Sequence, residues 1–368
     1  MYKIPLIKPY LTEELKASVC EVLDSRIWTE GAVTRQFEES IREFTGCRHA
    51  IAVSNCTVGL EVALRVLGIG PGDEVIVPDY TYPATAGAVH IVGARIVLVD
   101  VDPNTLLMDF DSLEPAITPR TKVIMPVSLF GNPLDYGRLN QLKEKHRFWI
   151  VEDAACSIGA EYRGTKVGNL ADLTVFSFHP RKFITTGEGG CITTNRDDWA
   201  EWINSYKHFG MASHGDREGI VFERIGTNYK LSNIQAAIGL FQMKHIARLL
   251  SKRRELATRY QRLLKDVAQI RFPKVTEGGT ASYQSFCVLL EDRDRIMFDL
   301  RKQEIEAQIG TYALHREPAF RDHPQCIIRG KMSGSLAAYE KCLALPLYHD
   351  LTETDQDRVI AELKRHLK

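Results

Sequence analysis

The chain has 368 residues and a formal net charge of zero, from 47 basic and 47 acidic side chains, so no basic excess predicts nucleic acid as a partner. Its content of 44% hydrophobic and 26% charged residues is typical of a soluble globular protein, and its length favours two domains. The N-terminal segment turns polar too soon for a secretion signal, and no apolar run is long enough to span a bilayer. The eight cysteines are scattered without metal-like spacing, so we expect a cytoplasmic protein with free thiols, no metal site and no membrane contact.

Short apolar strands alternate with amphipathic helices from about residue 50. In chain order, the predicted strands are "HAIAVS", "DEVIVP", "ARIVLVDVD", "KVIMPVS", "RFWIVEDA", "LTVFSF" and "GGCITTN". The segments "VGLEVALRVLGIGPG" and "PATAGAVHIVG" are predicted helices between the first of these strands. Continuous apolar strands separated by helices indicate an α/β fold with a mostly parallel sheet that is covered by helices on both faces.

The pattern changes along a long helical stretch, "SNIQAAIGLFQMKHIARLLSKRRELATRYQRLLKD". Strands such as "ASYQSFCVLL" then mix with helices. We therefore predict a large domain over residues 1–245 and a smaller α+β C-terminal domain over residues 246–368.

Polar residues follow several of the predicted strands. Asp153 ends "FWIVED", Ser177 lies in "TVFSF", and the turn "SNCT" joins a strand to a helix. Ligands of open α/β sheets bind beyond the carboxyl ends of the strands, and a helix N-terminus with the hydroxyl of Thr57 suits a phosphate. Each feature alone has a structural explanation as a cap or a turn, so the prediction depends on their combination.

Lys182 stands in "SFHPRKFITTGEGG", between an apolar strand and a glycine-rich turn. One chemistry needs this combination of residues: pyridoxal phosphate must be held by its phosphate, its ring nitrogen, its ring face and its aldehyde. An enclosed lysine can condense with the aldehyde and later move protons, while a carboxylate such as Asp153 keeps the ring nitrogen protonated.

The motifs "SNCTVGLEVALRVLGIGPGDEVIVPDYTYPATAGAV", "VEDAACSIGA", "SFHPRKFITTGEGG", "GTNYKLSNIQAAIGL" and "LALPLYHDLT" resemble the DegT/StrS family of sugar-nucleotide aminotransferases. These are fold-type I pyridoxal-phosphate enzymes, similar to aspartate aminotransferase. The resemblance covers essentially the whole chain, in the order and at the spacings of that family.

The resemblance implies that Lys182 is the Schiff-base lysine and that Asp153 is the partner of the pyridinium nitrogen. Ser177 and Thr57 would hold the cofactor phosphate, and Tyr82 would stack on the ring. The remaining cofactor residues implied are Cys56, through its backbone, Cys156, beside the 3-hydroxyl, and Asn228, from the neighbouring subunit. The active site would then be shared between the two subunits of a homodimer. Residues expected to contact the substrate are Trp28, Arg181, Lys230, Tyr312 and His315.

The chain departs from the family pattern at several of these positions. Cys56 stands where glycine is usual, and Cys156 stands where glutamine or histidine is common, which puts the hydrogen bond to the 3-hydroxyl in doubt. Lys230 replaces a frequent arginine, and "SRIW" (residues 25–28) replaces the usual Ser-Gly. These changes leave the core chemistry intact and are expected to reshape the sugar pocket.

The implied reaction moves an amino group from L-glutamate to a nucleotide-linked 3- or 4-keto-6-deoxyhexose, for aminodeoxysugar, polysaccharide or lipopolysaccharide biosynthesis. The cofactor would alternate between pyridoxal and pyridoxamine phosphate, and the loop from Lys207 to Gly219 with Arg181 is a candidate contact for the diphosphate. Which carbon is aminated and which nucleotide is carried stay open.

Four other functions compete with this one. An aminotransferase for an aminocyclitol or another carbocyclic ketone would have the same cofactor site. A non-catalytic regulator that binds pyridoxal phosphate has no need of Lys182 as a proton carrier. The dehydratase branch of the family has histidine in place of this lysine, and a nicotinamide dehydrogenase is excluded because no G-x-G-x-x-G joins a strand to a helix.

Overall fold

The computed structural model describes residues 2–212 and 220–367. Its strands, in chain order, are β1 (His49–Val53), β2 (Glu74–Pro78), β3 (Tyr80–Thr81), β4 (Arg95–Val99), β5 (Thr121–Ile124), β6 (Trp149–Asp153), β7 (Glu161–Tyr162), β8 (Thr165–Lys166), β9 (Leu173–Ser177), β10 (Gly190–Thr194), β11 (Gly279–Thr280), β12 (Phe286–Leu289), β13 (Gln308–Ile309), β14 (Tyr312–Ala313), β15 (Cys326–Arg329) and β16 (Cys342–Leu345).

Helices connect and cover these strands. They are α1 (Glu13–Ser25), α2 (Ala32–Thr45), α3 (Cys56–Val66), α4 (Pro83–Ile91), α5 (Phe110–Leu113), α6 (Tyr136–His146), α7 (Asp197–Lys207), α8 (Asn233–Lys244), α9 (Ile246–Leu264), α10 (Arg293–Lys302), α11 (Pro318–Arg321), α12 (Ser333–Lys341) and α13 (Glu353–His366). Short 3₁₀ turns occur at Glu114–Ala116, Leu129–Gly131 and Leu314–Arg316.

An eight-stranded sheet runs in the order β1-β10-β9-β6-β5-β2-β4-β15. β10 is antiparallel to both of its neighbours, and the five pairings from β9 to β15 are parallel. The predicted α/β class with a mostly parallel sheet is therefore confirmed, and each of the seven predicted strands is present.

Alternate side chains of the sheet pack into two separate hydrophobic cores. In β2, Ile76 packs with α2, α6 and α8 on one face, whereas Val75 and Val77 pack with α3, α4 and α7 on the other. All five residues of this strand are buried, as expected for a central strand that is covered on both faces. The sheet therefore lies between two layers of helices. Polar residues at the carboxyl ends of its strands can form a site.

The C-terminal part of the chain has its own hydrophobic core, around a sheet of β12, β16 and β13. This core includes side chains of α9, α10 and α13, and it also receives Ile4 from the N-terminal segment. β15 joins the large sheet instead, beside β4. α8 ends at Lys244 and α9 begins at Ile246, which is where the sequence predicts a domain boundary; the division itself stays a prediction.

Over residues 2–212 and 220–367, none of the helices combines the length and the apolar character that crossing a membrane requires.

Candidate active site

Three strands end at one edge of the central sheet, and predicted cofactor residues lie there. β6 ends at Asp153, β9 ends at Ser177, and β1 leads through Asn55 into α3. Between β1 and β9, β10 begins at Gly190, which pairs in register with Val53 and with Ser177. The fold therefore brings together segments that are more than a hundred residues apart, at the edge where α/β sheets bind ligands.

Lys182 lies in the turn between β9 and β10. Its main-chain nitrogen donates to the carbonyl of His179 at 2.8 Å, and its Nζ donates to Sγ of Cys156 at 3.2 Å. Burial acts to lower the pKa of Lys182, but Cys156, Cys56 and Asp153 together outweigh it, so the pKa of this ammonium group is raised. The partly buried lysine therefore lies among polar and ionisable groups, with Nζ against Cys156.

Asp153 is a buried carboxylate with two defined hydrogen bonds. Its Oδ2 accepts from Oγ1 of Thr85 at 2.7 Å, and its Oδ1 accepts from the main-chain nitrogen of Ala155 at 3.1 Å. Burial raises the pKa of Asp153, while these two donors and Lys182 oppose the rise. A cationic ring nitrogen beside this carboxylate would stabilise its ionised form further.

Thr85 is a site residue that the sequence analysis missed. It lies in the first turn of α4, where its main-chain nitrogen donates to the carbonyl of Tyr82 at 3.2 Å, and its hydroxyl also meets that of Thr81 at 2.9 Å. The available signal was the segment "YTYPAT", because a residue three positions after Tyr82 lies on the same helical turn. Through Thr85, α4 ties Tyr82 to the position of Asp153.

The N-terminus of α3 approaches the start of β10 very closely. Oδ1 of Asn55 caps the helix by accepting from the main-chain nitrogen of Val58 at 2.9 Å. A Cβ atom at Gly190 would lie only 2.7–2.8 Å from the backbone of Asn55 and Cys56, so only glycine fits there. Helix N-terminal N–H groups carry a partial positive charge, and a hydroxyl from Thr57 in the same turn adds a donor for a phosphate.

Two thiols line the enclosure of Lys182. Cys56 and Cys156 are both half-buried. Burial raises the pKa of Cys56 well above its ordinary value, and nearby Asp153 adds to the rise. The sulfur of Cys156 accepts the hydrogen bond from Lys182. This is the residue at which the sequence puts the hydrogen bond to the cofactor's 3-hydroxyl in doubt.

Two predicted residues, Tyr82 and Tyr312, lie close together, and a third, His315, follows on the same C-terminal segment. The ring of Tyr82 is 64% exposed, and its centroid lies 6.2 Å from that of Tyr312. β14 carries Tyr312 and pairs with β3, which places this C-terminal segment beside the start of α4. Nδ1 of His315 lies 2.6 Å from Oδ2 of the buried Asp79, so the imidazole orientation is fixed.

Other predicted residues lie apart from Lys182 within one chain. Trp28 is exposed, Lys230 places Nζ 4.8 Å from the ring centroid of Phe209, and Asn228 is exposed. Among the described residues, no hydrogen bond or ring contact links Trp28, Lys230 or Asn228 to the Lys182 enclosure. Arg181 is exposed next to Lys182, and its Nη1 donates to Oε1 of Gln308 at 3.1 Å.

The prediction that Lys207 contacts a diphosphate is wrong. α7 continues to this residue and buries its side chain completely. Its Nζ lies 3.1 Å from Glu30 and 3.3 Å from Glu38, and it donates to the carbonyl of Ala52 at 3.1 Å. Residues 213–219 of the same predicted loop lie outside the described residues.

Comparison with known proteins assigns the family. A model of the DegT/DnrJ/EryC1/StrS aminotransferase family matches residues 9–364. The chain belongs to this family. Among curated members, GDP-perosamine synthase of Caulobacter vibrioides is 38% identical over 99% of this chain and 98% of its own length. UDP-4-amino-4-deoxy-L-arabinose–oxoglutarate aminotransferase of Shewanella sediminis is 34% identical over 98% of this chain and 97% of its own length.

Solved structures of DegT/DnrJ/EryC1/StrS aminotransferases share the whole fold. The sugar aminotransferase Spr1654 of Streptococcus pneumoniae, which is described as putative, matches in its pyridoxamine-phosphate form with a TM-score of 0.93 and 30% identity. That match covers 100% of this chain and 98% of the other. The same protein has also been solved with pyridoxal phosphate, at a TM-score of 0.92. The predicted fold-type I architecture is therefore confirmed.

Proposed function

We propose that this protein is a pyridoxal-phosphate-dependent aminotransferase that moves an amino group from L-glutamate to a nucleotide-linked 3- or 4-keto-6-deoxyhexose. The observation that carries the proposal is the position of Lys182, whose Nζ lies 3.2 Å from Cys156 beside the buried Asp153. A lysine and a carboxylate enclosed together at the carboxyl edge of the sheet suit an aldehyde cofactor with a basic ring nitrogen.

The residues present fit this cofactor at each of its contact points. Gly190 leaves room for a close approach at the N-terminus of α3, where backbone N–H groups, Thr57 and Ser177 would receive the phosphate. The exposed ring of Tyr82 would cover one face of the cofactor ring once bound. Asp153 would lie against the ring nitrogen, and Lys182 would meet the aldehyde.

Bound pyridoxal phosphate supplies an aldehyde that takes up nitrogen and a ring that stabilises negative charge during the transfer. Lys182 contributes an amine that can take a proton from the carbon that loses nitrogen and can return a proton to the carbon that gains nitrogen. Asp153 keeps a negative charge beside the ring nitrogen, and Thr85 with Ala155 holds that carboxylate in one orientation.

The substrate class follows from the names of the relatives. The two curated relatives above are named for GDP- and UDP-linked amino sugars, and one name specifies oxoglutarate. An amino transfer that interconverts L-glutamate and oxoglutarate is consistent with those names. Tyr312, His315, Arg181, Trp28 and Lys230 remain the proposed sugar and nucleotide contacts.

We further propose a homodimer whose subunits share each active site. Asn228 is exposed in the segment that also exposes Phe222 and Ile225, and the side chain of Ile225 is 97% accessible. Apolar side chains exposed this far are typical of a surface that is covered by another protein chain. In such a dimer Asn228 would reach the partner's cofactor phosphate. All eight cysteines lie in the described residues as free thiols, which supports a reducing compartment such as the cytoplasm.

The test starts from the protein loaded with pyridoxamine phosphate. A panel of GDP-, UDP- and dTDP-linked 3- and 4-keto-6-deoxy sugars, together with a keto-cyclitol, is added, and the return of the pyridoxal absorbance is recorded. We expect at least one nucleotide-linked sugar to restore it rapidly. Lys182→Ala serves as the control and should respond far more slowly. A response to the keto-cyclitol alone would contradict the proposed substrate class, and no response to any ketone would contradict the proposed reaction.

A further inference from the structure

A buried glutamine from the C-terminal half of the chain contacts the main chain on both sides of Lys182. Gln284 lies just before β12 and is only 6% exposed. Its Nε2 donates to the carbonyl of Arg181 at 2.8 Å, and its Oε1 accepts from the main-chain nitrogen of Phe183 at 3.1 Å. The two peptide groups that flank Lys182 are therefore both bound by one side chain, and their fixed donor and acceptor roles determine how the amide is oriented.

Gln284 is itself held by a buried arginine of α9. Nη2 of Arg253 donates to the carbonyl of Gln284 at 2.7 Å and to that of Leu347 at 3.0 Å, and Nε donates to the carbonyl of Tyr283 at 2.6 Å. The guanidinium carbon also lies 5.2 Å from the ring centroid of Phe183. Burial lowers the pKa of Arg253 to about 9. A buried cation with several hydrogen bonds to main-chain carbonyls fixes the path of the chain through residues 283–284.

The same segment also reaches the main chain of Cys156. Oγ of Ser282 donates to the carbonyl of Cys156 at 3.5 Å, while its main-chain nitrogen donates to the carbonyl of Gly131 at 2.9 Å. Tyr283 has a left-handed backbone with φ of 51°, and a Cβ atom at Gly131 would lie 2.7 Å from its nitrogen. This close packing leaves residues 282–284 little freedom to shift. One segment thus contacts the backbones of both residues whose side chains meet, Lys182 and Cys156.

We propose that Gln284 is a positioning residue, which fixes the main chain at Lys182 and thereby holds Nζ beside Cys156 and Asp153. A lysine side chain has four rotatable bonds, so small changes in backbone orientation move its nitrogen by ångströms. Misplacing a reacting group by about 1 Å can cost a reaction about a hundredfold. The proposal rests on the proposed function, because it takes Lys182 to be the residue that receives the cofactor.

The chain offers a matched control for a purely structural role. Gln242 is also buried, and its Oε1 accepts from the main-chain nitrogen of Thr185 at 2.8 Å while its Nε2 donates to the carbonyl of Tyr10 at 3.1 Å. It therefore holds the same turn through one hydrogen bond and ties it to the N-terminal segment through the other. Its contact lies three residues beyond Lys182, so its loss leaves the flanking peptide groups bound.

The experiment compares Gln284→Met and Gln242→Met in the cofactor-free full-length chain. Labelling of Lys182 by an amine reagent is measured across pH by peptide mass spectrometry, and uptake of pyridoxal phosphate is followed by borohydride trapping. In Gln284→Met we expect trapping on Lys182 to slow by about tenfold or more. The labelling midpoint should fall, because the ammonium group loses its neighbouring thiols and carboxylate. Gln242→Met should match the parent in both measurements.

A second substitution, Gln284→Glu, keeps an acceptor for Phe183 and removes the donor to Arg181. Its ionised carboxylate would place an acceptor against that carbonyl, so trapping should again slow, and this variant carries the test if Gln284→Met does not fold. Parental trapping and labelling in the Gln284 variants, or an equal change in Gln242→Met, would overturn the proposal. Failure of the parent itself to take pyridoxal phosphate on Lys182 would instead overturn the proposed function, while the labelling profiles would still report on Gln284.

Discussion

At the scale of single residues, Glu152 is a fully buried carboxylate that directly precedes Asp153. It accepts hydrogen bonds from the hydroxyls of Ser128, Tyr136 and Thr174, with 2.6 Å to Tyr136. Burial raises the pKa of Glu152 from its ordinary value to about 7, even though these three donors oppose the rise. The carboxyl group therefore binds its proton more tightly in the folded chain than in the unfolded chain.

This difference predicts a pH-dependent contribution to stability. The contribution is fully present below the ordinary pKa of the carboxyl group and is lost as pH rises through about 7. Glu152→Gln keeps the shape and an acceptor oxygen but cannot ionise. The free energy of unfolding of the variant, relative to that of the parent, should therefore increase from pH 5 to pH 8. The gain should be up to about 3 kcal/mol. Urea unfolding at both pH values measures it, and a difference that is constant with pH would contradict the prediction.

At the scale of elements, the approach of β10 to the N-terminus of α3 depends on Gly190. In Gly190→Ala the new methyl group must push Asn55 and Cys56 away, because it would lie 2.7–2.8 Å from their backbone atoms. We expect a loss of about 1–3 kcal/mol in the free energy of unfolding, together with clearly weaker binding of pyridoxal phosphate. Equilibrium titration with the cofactor and chemical unfolding measure the two effects.

Gly70→Ala is the control for this substitution. A Cβ atom at Gly70 would lie 3.8 Å from its nearest neighbour, the carbonyl oxygen of Val92, which is an ordinary contact distance. This variant should bind the cofactor as the parent does. Unchanged cofactor affinity in Gly190→Ala would mean that the α3–β10 contact is not part of the phosphate site.

Lys207 joins α7 to Glu38 of α2 and to Glu30 just before α2, both partly buried, and it donates to the carbonyl of Ala52 in β1. Lys207→Met would leave Glu38 without its cation and Glu30 with only His208, so we expect a loss of about 3 kcal/mol in the free energy of unfolding. Adding Glu38→Gln should restore part of that loss, since burial already raises the pKa of Glu38. Because the lysine is buried away from any substrate, the KM for the nucleotide sugar should stay near that of the parent.

Lys252→Met provides the comparison for this ion pair. Lys252 pairs with Glu255 at 2.9 Å on the exposed side of α9, and such surface pairs contribute about 0–1 kcal/mol. Equal losses of stability in Lys207→Met and Lys252→Met would contradict the structural role assigned to Lys207.

Local patterns in the sequence predicted the strands and several site residues. The apolar strands are short and rich in Val and Ile, so their alternation with helices indicates the sheet, and Asp153 and Ser177 follow because they end strands. Thr85 and Gln284 are different, since they bond to Asp153 and Phe183 at separations of 68 and 101 residues. Lys207 looked like a loop charge because nothing local shows that Glu30 and Glu38 fold against it. Contacts between residues this far apart in the chain depend on tertiary packing, which the periodicity of apolar residues does not predict.

At the scale of the whole molecule, the shared active site can be tested by mixing inactive variants. If Asn228 reaches the partner's site, Lys182→Ala and Asn228→Asp should each be nearly inactive as pure proteins. In a mixture, half of the dimers are mixed, and each of these contains one site with both residues intact. Refolding the two together should therefore restore about a quarter of the parental specific activity.

Sedimentation provides the control for this experiment by reporting whether the parent and the mixture are dimers. Activity of the mixture that equals only the mean of the two separate variants would contradict a site built from both subunits.

The most direct test of the central claim is to locate the cofactor on the chain. The purified protein is incubated with pyridoxal phosphate, reduced with borohydride and digested, and the modified peptide is identified by mass spectrometry. We predict a single stoichiometric modification at Lys182, which disappears in Lys182→Ala. Absence of the modification, or its presence on a different lysine, would contradict the assignment of Lys182 as the residue that carries the cofactor.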